Sequence, residues 1–371
     1  MPSQQKKGQG KATGPNPVPS KDMPPLPENF GPVFFKNQFR TKIGLPTKEK
    51  YPTIGEKGSC AIITGSNVGL GFETAKQLLS LGLSHLVMAV RSIEKGNTAA
   101  KQLRAAAGAN GNPSAKVDVW QIDMESYESI QAFVHECQRS LPRIDFVILN
   151  AGVSAMTFST VPSTGHEKTI QVNHISTALL AILLLPVLKS KSMERNTPAQ
   201  LTIVNSVTAH LCKIPNKDKR PFLPSFDNTA ITPWDAEERY GVSKLLSQLF
   251  IVRLAEHVNP DHVIVNMVDP GLTKGTSLSR DAKGATGVAA KMFFSIAGRP
   301  VDRGAATYVD AVAGHGKASH GCFLMNCQVS PLSRWFYTDG DVLNDLIWTE
   351  TLKELRFANV EQIITSMHGD V

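Results

Sequence analysis

Residues 60–71 read Cys60-Ala61-Ile62-Ile63-Thr64-Gly65-Ser66-Asn67-Val68-Gly69-Leu70-Gly71. A short apolar run passes without a break into three glycines, and a helical stretch from Gly69 to Leu81 follows at once. A strand that feeds a glycine turn and then a helix opens a βαβ unit. The glycines are needed because the backbone must turn tightly, approach a pyrophosphate and let the helix lie against the sheet. The helix N-terminus adds free N–H groups and the positive end of its dipole. Gly65, Ser66, Asn67, Gly69, Leu70 and Gly71 form the candidate phosphate cradle. The bland alternative is a glycine turn with no ligand, and the strand before it and helix after it weigh against that.

Outward from this unit, short apolar runs alternate with amphipathic stretches. The candidate strands are CAIIT (from Cys60), HLVMAV (from His85), KVDVWQI (from Lys116), DFVILN (from Asp145), LTIVN (from Leu201), VIVNMV (from Val263) and GCFLMN (from Gly321). Helical stretches lie near Gly69–Leu81, Ser92–Ala107, Ser126–Ser140, His166–Ser190 and Asp235–His257. This alternation predicts an α/β fold, a doubly wound parallel sheet of about seven strands, with ligands at the carboxyl ends of the strands.

Those carboxyl ends carry the chemistry. The second strand ends at Arg91, with Lys95 close behind and no carboxylate before Glu94. An acidic residue there would bind the ribose hydroxyl of NAD, whereas a guanidinium pairs with the 2′-phosphate of NADP, so NADP(H) is the expected cofactor. Asp123 follows the third strand, facing either an adenine amino group or no more than its own turn. Asn150, Ala151 and Gly152 close the fourth strand with side chains small enough for a close approach. Tyr240 and Lys244, four apart on a predicted helix, share a face. An ammonium beside a phenol favours phenolate and lowers its pKa from ~10, which would make Tyr240 an acid or base near neutrality. Alone, that spacing also fits an exposed helical pair. After Pro270 and Gly271, Thr273 or Thr276 is placed to hold a nicotinamide carboxamide.

Composition separates the first 58 residues from the rest. They hold ten basic side chains against four acidic ones, which accounts for +6 of the formal +7, and ten of the 23 prolines. Residues 1–57 read as a basic, proline-rich extension, with 1–24 disordered for lack of anything to bury, and 58–371 as one catalytic domain. Aromatics at Phe30, Phe34, Phe35, Phe39 and Tyr51 give the second half of the extension something to pack. With the excess placed there, a nucleic-acid partner has only charge in its favour. Five cysteines without paired spacing favour a reduced, cytoplasmic chain. The N-terminus has no apolar h-region of a secretory signal. The longest apolar run, Ala178–Leu188, is about half of the ~20 residues a spanning helix needs, so a buried core helix is expected.

The order of the motifs TGSNVGLG, VRSIEK, IDM, LNAG, VNHIS, NSVTA, YGVSK and DPGLT resembles the short-chain dehydrogenase/reductases over residues 59 to about 330. Within that family the chain looks most like the retinol-dehydrogenase-like branch and related fungal tailoring reductases of secondary metabolism. The resemblance implies a Rossmann fold and a nicotinamide-dependent oxidoreductase that interconverts a carbonyl and an alcohol on a small molecule. It also implies a tetrad. Asn173 would hold a relay water, Ser206 would hydrogen-bond the carbonyl oxygen, Tyr240 would move the proton, and Lys244 would bind ribose and tune the tyrosine. It favours Thr273 over Thr276.

Some positions depart from the family pattern. Asn205-Ser206 stands where Ser-Ser is usual, Leu149-Asn150 replaces Asn-Asn, and Thr208 offers a second hydroxyl. A segment inserted at 213–234 carries Lys213, Lys217, Lys219 and Arg220, a solvated face or a steering patch for an anionic substrate. His174, His210 and Cys212 read as buried structural groups, and the proposed chemistry needs no metal. The stretch Gly284–Gly298, with Met292, Phe293 and Phe294, is expected to be a lid over the substrate. Its minority reading is a peripheral membrane contact. No motif names the substrate.

Overall fold

The computed structural model describes residues 18–274 and 297–368. Eight strands form one sheet: β1 (Cys60–Thr64), β2 (His85–Val90), β3 (Lys116–Gln121), β4 (Phe146–Leu149), β5 (Ala199–Val204), β6 (Val263–Asp269), β7 (Phe323–Met325) and β8 (Gln328–Ser330). Their order is β3-β2-β1-β4-β5-β6-β7-β8, parallel except for the antiparallel β7–β8 pair. The seven expected strands are present within a few residues of their predicted bounds. The eighth was not foreseen. It returns from β7 through Asn326 and Cys327, both at positive φ (53° and 61°), a hairpin turn lacking the Asn-Gly signature that would announce it.

Ten helices are described: α1 (Phe30–Phe35), α2 (Gly69–Ser80), α3 (Ile93–Ala109), α4 (Tyr127–Ser140), α5 (Lys168–Met193), α6 (Ala236–Glu256), α7 (Val301–Ala313), α8 (Arg334–Thr338), α9 (Gly340–Glu354) and α10 (Val360–Met367). Side-chain caps start several of them. Ser92 accepts from Lys95 N–H, Ser126 from Ser129 N–H, and Asp235 from the N–H groups of Glu237 and Glu238. The sheet divides the core in two: α4, α5 and α6 pack one face, with α9 and α10 outside them, while α2, α3 and α7 pack the other. The apolar window of α5 is 89% buried in the protein, as a core helix should be. The chain reverses its strand order between β1 and β4, where a doubly wound sheet opens a crevice at its carboxyl edge.

The extension departs from expectation. Val18 to Pro24 are ordered rather than disordered, because the chain there repairs an open part of the sheet. Ser20 is buried, its hydroxyl accepts from Phe323 N–H at 2.9 Å, and Tyr337 donates to its carbonyl at 2.6 Å. Farther along, Ile43, Tyr51 and Ile54 are buried, and Tyr51 donates to Asp310 at 2.6 Å. Residues 1–17, Thr276 and residues 284–296 of the lid expected at Gly284–Gly298 lie outside the described residues.

Candidate active site

The glycine turn sits at the crevice. Gly65 (φ +66°) and Gly69 (φ +61°) occupy the left-handed region that favours glycine. A Cβ on Gly71 would lie 2.6 Å from Asn150 Nδ2 and 2.8 Å from Gly65 O, so the helix can start only where that side chain is missing. Ser66 is buried and donates to Ile63 O, while Asn67 and Leu70 are partly exposed at the turn. Asn150 donates to the carbonyls of Thr64 (2.9 Å) and Gly65 (3.2 Å), and Ala151 N–H donates to Thr64 Oγ1 (2.9 Å).

Gly152 lies where the next cluster meets. A Cβ there would be 3.1 Å from Asn173 Oδ1 and 3.6 Å from Lys244 Nζ. Asn173 stands in a π-helical turn, Gln171–Ile175, inside α5. Both ends of its amide are committed: Oδ1 accepts from Val153 N–H at 2.8 Å, and Nδ2 donates to Val153 O and Ser243 Oγ. The side chain is therefore a brace between the β4 loop and α6. Such turns recur at functional sites.

Ser206 follows β5 and caps a short 3₁₀ turn. Thr208 donates to its hydroxyl at 2.9 Å, and Tyr240 faces that same hydroxyl. The structure thus places Ser206 against the phenol, with Thr208 behind it. Asn205, the departure from the usual Ser-Ser, is buried. It accepts from Ser206 N–H at 2.7 Å and donates to Lys244 O at 3.0 Å, tying the β5 loop to the helix that carries Tyr240.

The expected effect of Lys244 on Tyr240 is corrected. Lys244 Nζ lies 5.7 Å from the phenol ring centroid, yet burial, with the Asp269 carboxylate adding to it, pushes the Tyr240 pKa up; only Ser206 draws it down. Lys244 donates to Val204 O at 2.9 Å and is itself pushed down to about 8 by burial, against the pull of Asp269. Asp269, at the end of β6, is a site residue that the sequence did not single out. It is buried, its pKa is raised by burial, and it accepts from Val207 N–H and Gly271 N–H, each at 3.1 Å.

The turn after β6 packs tightly. Gly271 (φ +69°) lies against the Arg299 guanidinium, where a Cβ would approach Cζ to 2.7 Å. Thr273 donates to Gly271 O at 3.0 Å, next to Pro270 and Gly271, and its main chain bridges to Arg299. A Cβ on Gly304 of α7 would meet Leu70 Cδ2 and Thr273 Oγ1, each at 2.7 Å, so that glycine lets the phosphate turn and this turn approach each other.

At the far end, Arg91 is exposed and pairs with Glu125 at 3.0 Å; Lys168 reaches the same oxygen at 2.8 Å. Lys95 is exposed nearby. Asp123 accepts from Glu125 N–H at 3.0 Å, the turn-forming use of its carboxylate. His174 and His210 are buried and pushed down to about 3 and about 4 by burial, which keeps them neutral, and Cys212 is buried. The inserted segment is a packed loop whose Phe222 and Phe226 are buried, while Lys213, Lys219 and Arg220 face solvent and Lys217 pairs with Asp339.

A doubly wound sheet with a glycine cradle at its crevice defines the class of dinucleotide-fold proteins. The short chain dehydrogenase model matches residues 59–212. The chain is 49% identical over 355 residues to a short chain dehydrogenase/reductase, mfmJ, of Annulohypoxylon moriforme, covering 95% of this chain and 100% of that one. It is 42% identical over 342 residues to the short chain dehydrogenase virL of Hypocrea virens, covering 90% and 94%. Among solved structures it resembles L-sorbose reductase from Gluconobacter frateurii (TM-score 0.54, 21% identity, covering 74% of this chain and 97% of that one). It also resembles salutaridine reductase from Papaver somniferum (TM-score 0.53, 19% identity, covering 71% and 99%). The protein belongs to the short-chain dehydrogenase/reductase family, and is an oxidoreductase of that fold.

Proposed function

We propose that this oxidoreductase uses NADP(H) to interconvert a carbonyl and an alcohol on a hydrophobic small molecule, as a tailoring step of the secondary metabolism that the family resemblance implies. The observation that carries the proposal is the meeting of Ser206, Tyr240, Lys244 and the Asn173 brace beside Gly152, one strand from the glycine cradle. The cradle fits a dinucleotide, because the left-handed turns at Gly65 and Gly69 lead into α2, whose N-terminus has no side-chain cap and so presents N–H groups to a pyrophosphate. Gly65 to Gly71 would hold the pyrophosphate, Arg91 and Lys95 the 2′-phosphate, and Asp123 would sit at the adenine. Asn150, Ala151 and Gly152 would border the ribose, and Pro270, Gly271 and Thr273 the nicotinamide.

NADPH, when bound, supplies the hydride. The protein's share is proton and charge. Tyr240, held as a phenol by burial, gives its proton to the substrate oxygen, while Ser206 donates a hydrogen bond to the charge growing there. Lys244 spends one of its three donors on Val204 O, and the others are available to ribose hydroxyls. Tyr240→Phe should lower turnover by about 10²- to 10⁴-fold with NADPH binding preserved. Near-normal turnover of a wild-type substrate by that variant would refute the assignment.

A further inference from the structure

Gln38 belongs to the N-terminal extension and to no motif, yet it is buried against the turn that follows β6. Its Nε2 donates to Leu272 O at 2.7 Å and to Ala297 O at 2.9 Å, and its Oε1 accepts from Leu272 N–H at 3.2 Å. A primary amide has an acceptor and two donors, so this one side chain satisfies both main-chain groups of Leu272, as a neighbouring strand would, with a donor to spare for Ala297. Leu272 lies between Gly271 and Thr273. The turn is held from its other sides by the Asp269 carboxylate on Gly271 N–H and by the Arg299 guanidinium against Gly271. The extension also reaches Arg299 itself, whose Nη2 donates to Asn37 O at 3.1 Å.

We propose that Gln38 is a positioning residue for the cofactor, acting through the main chain of Leu272 to fix the Pro270–Thr273 turn. This rests on the assignment of that turn to the nicotinamide made above. Without the amide, the part-buried Leu272 N–H loses this partner and Leu272 O keeps, among the described residues, Arg299 N–H at 2.8 Å, so the turn loses its fastening on the side of the extension. The extension itself stays anchored by Ser20, Ile43, Tyr51 and Ile54. A change at Gln38 should therefore be felt at the nicotinamide end and not at the adenine end, where Arg91 lies.

The test compares NADPH with 2′,5′-ADP, which has the adenine end and no nicotinamide, by calorimetry on the full chain. Gln38→Met should weaken NADPH roughly five- to ten-fold. It should leave 2′,5′-ADP affinity at the wild-type value and lower the anisotropy of the bound nicotinamide fluorescence. Gln38→Asn, whose amide is one methylene short, should fall between the two and covers the case in which the Met variant does not fold. Unchanged NADPH binding in a folded variant would overturn the proposal, and so would equal weakening of both ligands, which marks general damage. If the wild type shows no change in nicotinamide fluorescence on binding NADPH, the assignment of the turn fails and this proposal fails with it. If the wild type shows the change and the variants match it, only the role of Gln38 fails.

Discussion

Glu125→Gln should tighten NADPH binding. Arg91, the side chain assigned to the 2′-phosphate, is not waiting free: its Nη1 rests 3.0 Å from Glu125 Oε1, with the Arg91 side chain 68% exposed and Glu125 22% exposed. The phosphate must share or displace that carboxylate. Exposed ion pairs are worth about 0.2–1 kcal/mol, because water screens the charges and long side chains lose freedom. Removing the competitor should therefore return up to about 1 kcal/mol, an up to about five-fold lower Kd for NADPH. Lys168, which shares the same Glu125 oxygen at 2.8 Å, is released as well and can only add to the gain. NADH lacks the phosphate and should bind as before. Kd values for both cofactors by nicotinamide fluorescence, at low salt and near 0.5 M salt, give the test, since the gain should shrink as salt screens it. In an Arg91→Ala background the same substitution should gain less, the coupling a double-mutant cycle reports. Equal tightening of NADH, or a gain of the same size without Arg91, would refute the 2′-phosphate role.

Other substitutions test the remaining contacts. Asn205→Ala leaves Ser206 N–H without its 2.7 Å acceptor and unties the β5 loop from Lys244; a loss of about 1–3 kcal/mol in denaturant melts and a larger fall in kcat than in cofactor affinity are expected. Gly304→Ala drives a methyl against Leu70 and Thr273, costing about 1–3 kcal/mol and raising KM for the cofactor, both checked on the purified variant. His166 lies between Asp227 (2.9 Å) and Glu354 (3.3 Å); burial lowers its pKa, but the two carboxylates outweigh burial and lift it to about 9. A raised pKa gives stability that is complete below the unfolded value of ~6.5 and lost as pH rises through about 9. Wild-type Tm should therefore fall over that window more steeply than that of His166→Gln, as scanning calorimetry would show. Lys244, at about 8, should set an alkaline limb in kcat/KM for reduction; Lys244→Arg, which keeps its charge, should move the limb upward, and a limb still near 8 would exclude Lys244 as its origin.

The sheet was legible because most of its strands are predominantly apolar runs, such as CAIIT and VIVNMV, whose residues are all buried. Tyr240 and Lys244 were legible because four residues along a helix return to one face. What stayed hidden depends on partners far away in sequence. Helix α9 buries Leu343, Ile347 and Trp348, but it opens on Gly340 and its N-cap Asp339 makes no side-chain cap, so its beginning is weakly marked. Ser20 looked like part of a disordered tail, since the main-chain groups of Phe323 that it satisfies are 303 residues away. Asn205 looked like a deviation from Ser-Ser until the Lys244 carbonyl was beside it. A polar side chain that serves distant main chain leaves no periodic trace.

The Tyr240–Lys244 pair shows where a two-body argument from spacing goes astray. The sequence sets an ammonium beside a phenol and concludes that the phenol is acidified. In the folded cleft burial acts on both groups, holding the proton on the phenol and loosening it from the ammonium. Asp269 then acts in one direction on each, favouring phenol and favouring ammonium, since a nearby negative charge makes every proton harder to remove. At neutral pH Tyr240 is therefore a proton donor, which is the state that carbonyl reduction requires; alcohol oxidation has first to remove that proton against both burial and the carboxylate. Burial is the larger influence on Tyr240, and Asp269 adds to it in the same direction. Asp269 keeps its place through Val207 N–H and Gly271 N–H, and Gly271 keeps its own through Arg299 and the turn that Gln38 fastens. Main-chain contacts thus fix the carboxylate that faces the tyrosine, and the N-terminal extension reaches the same turn through Gln38.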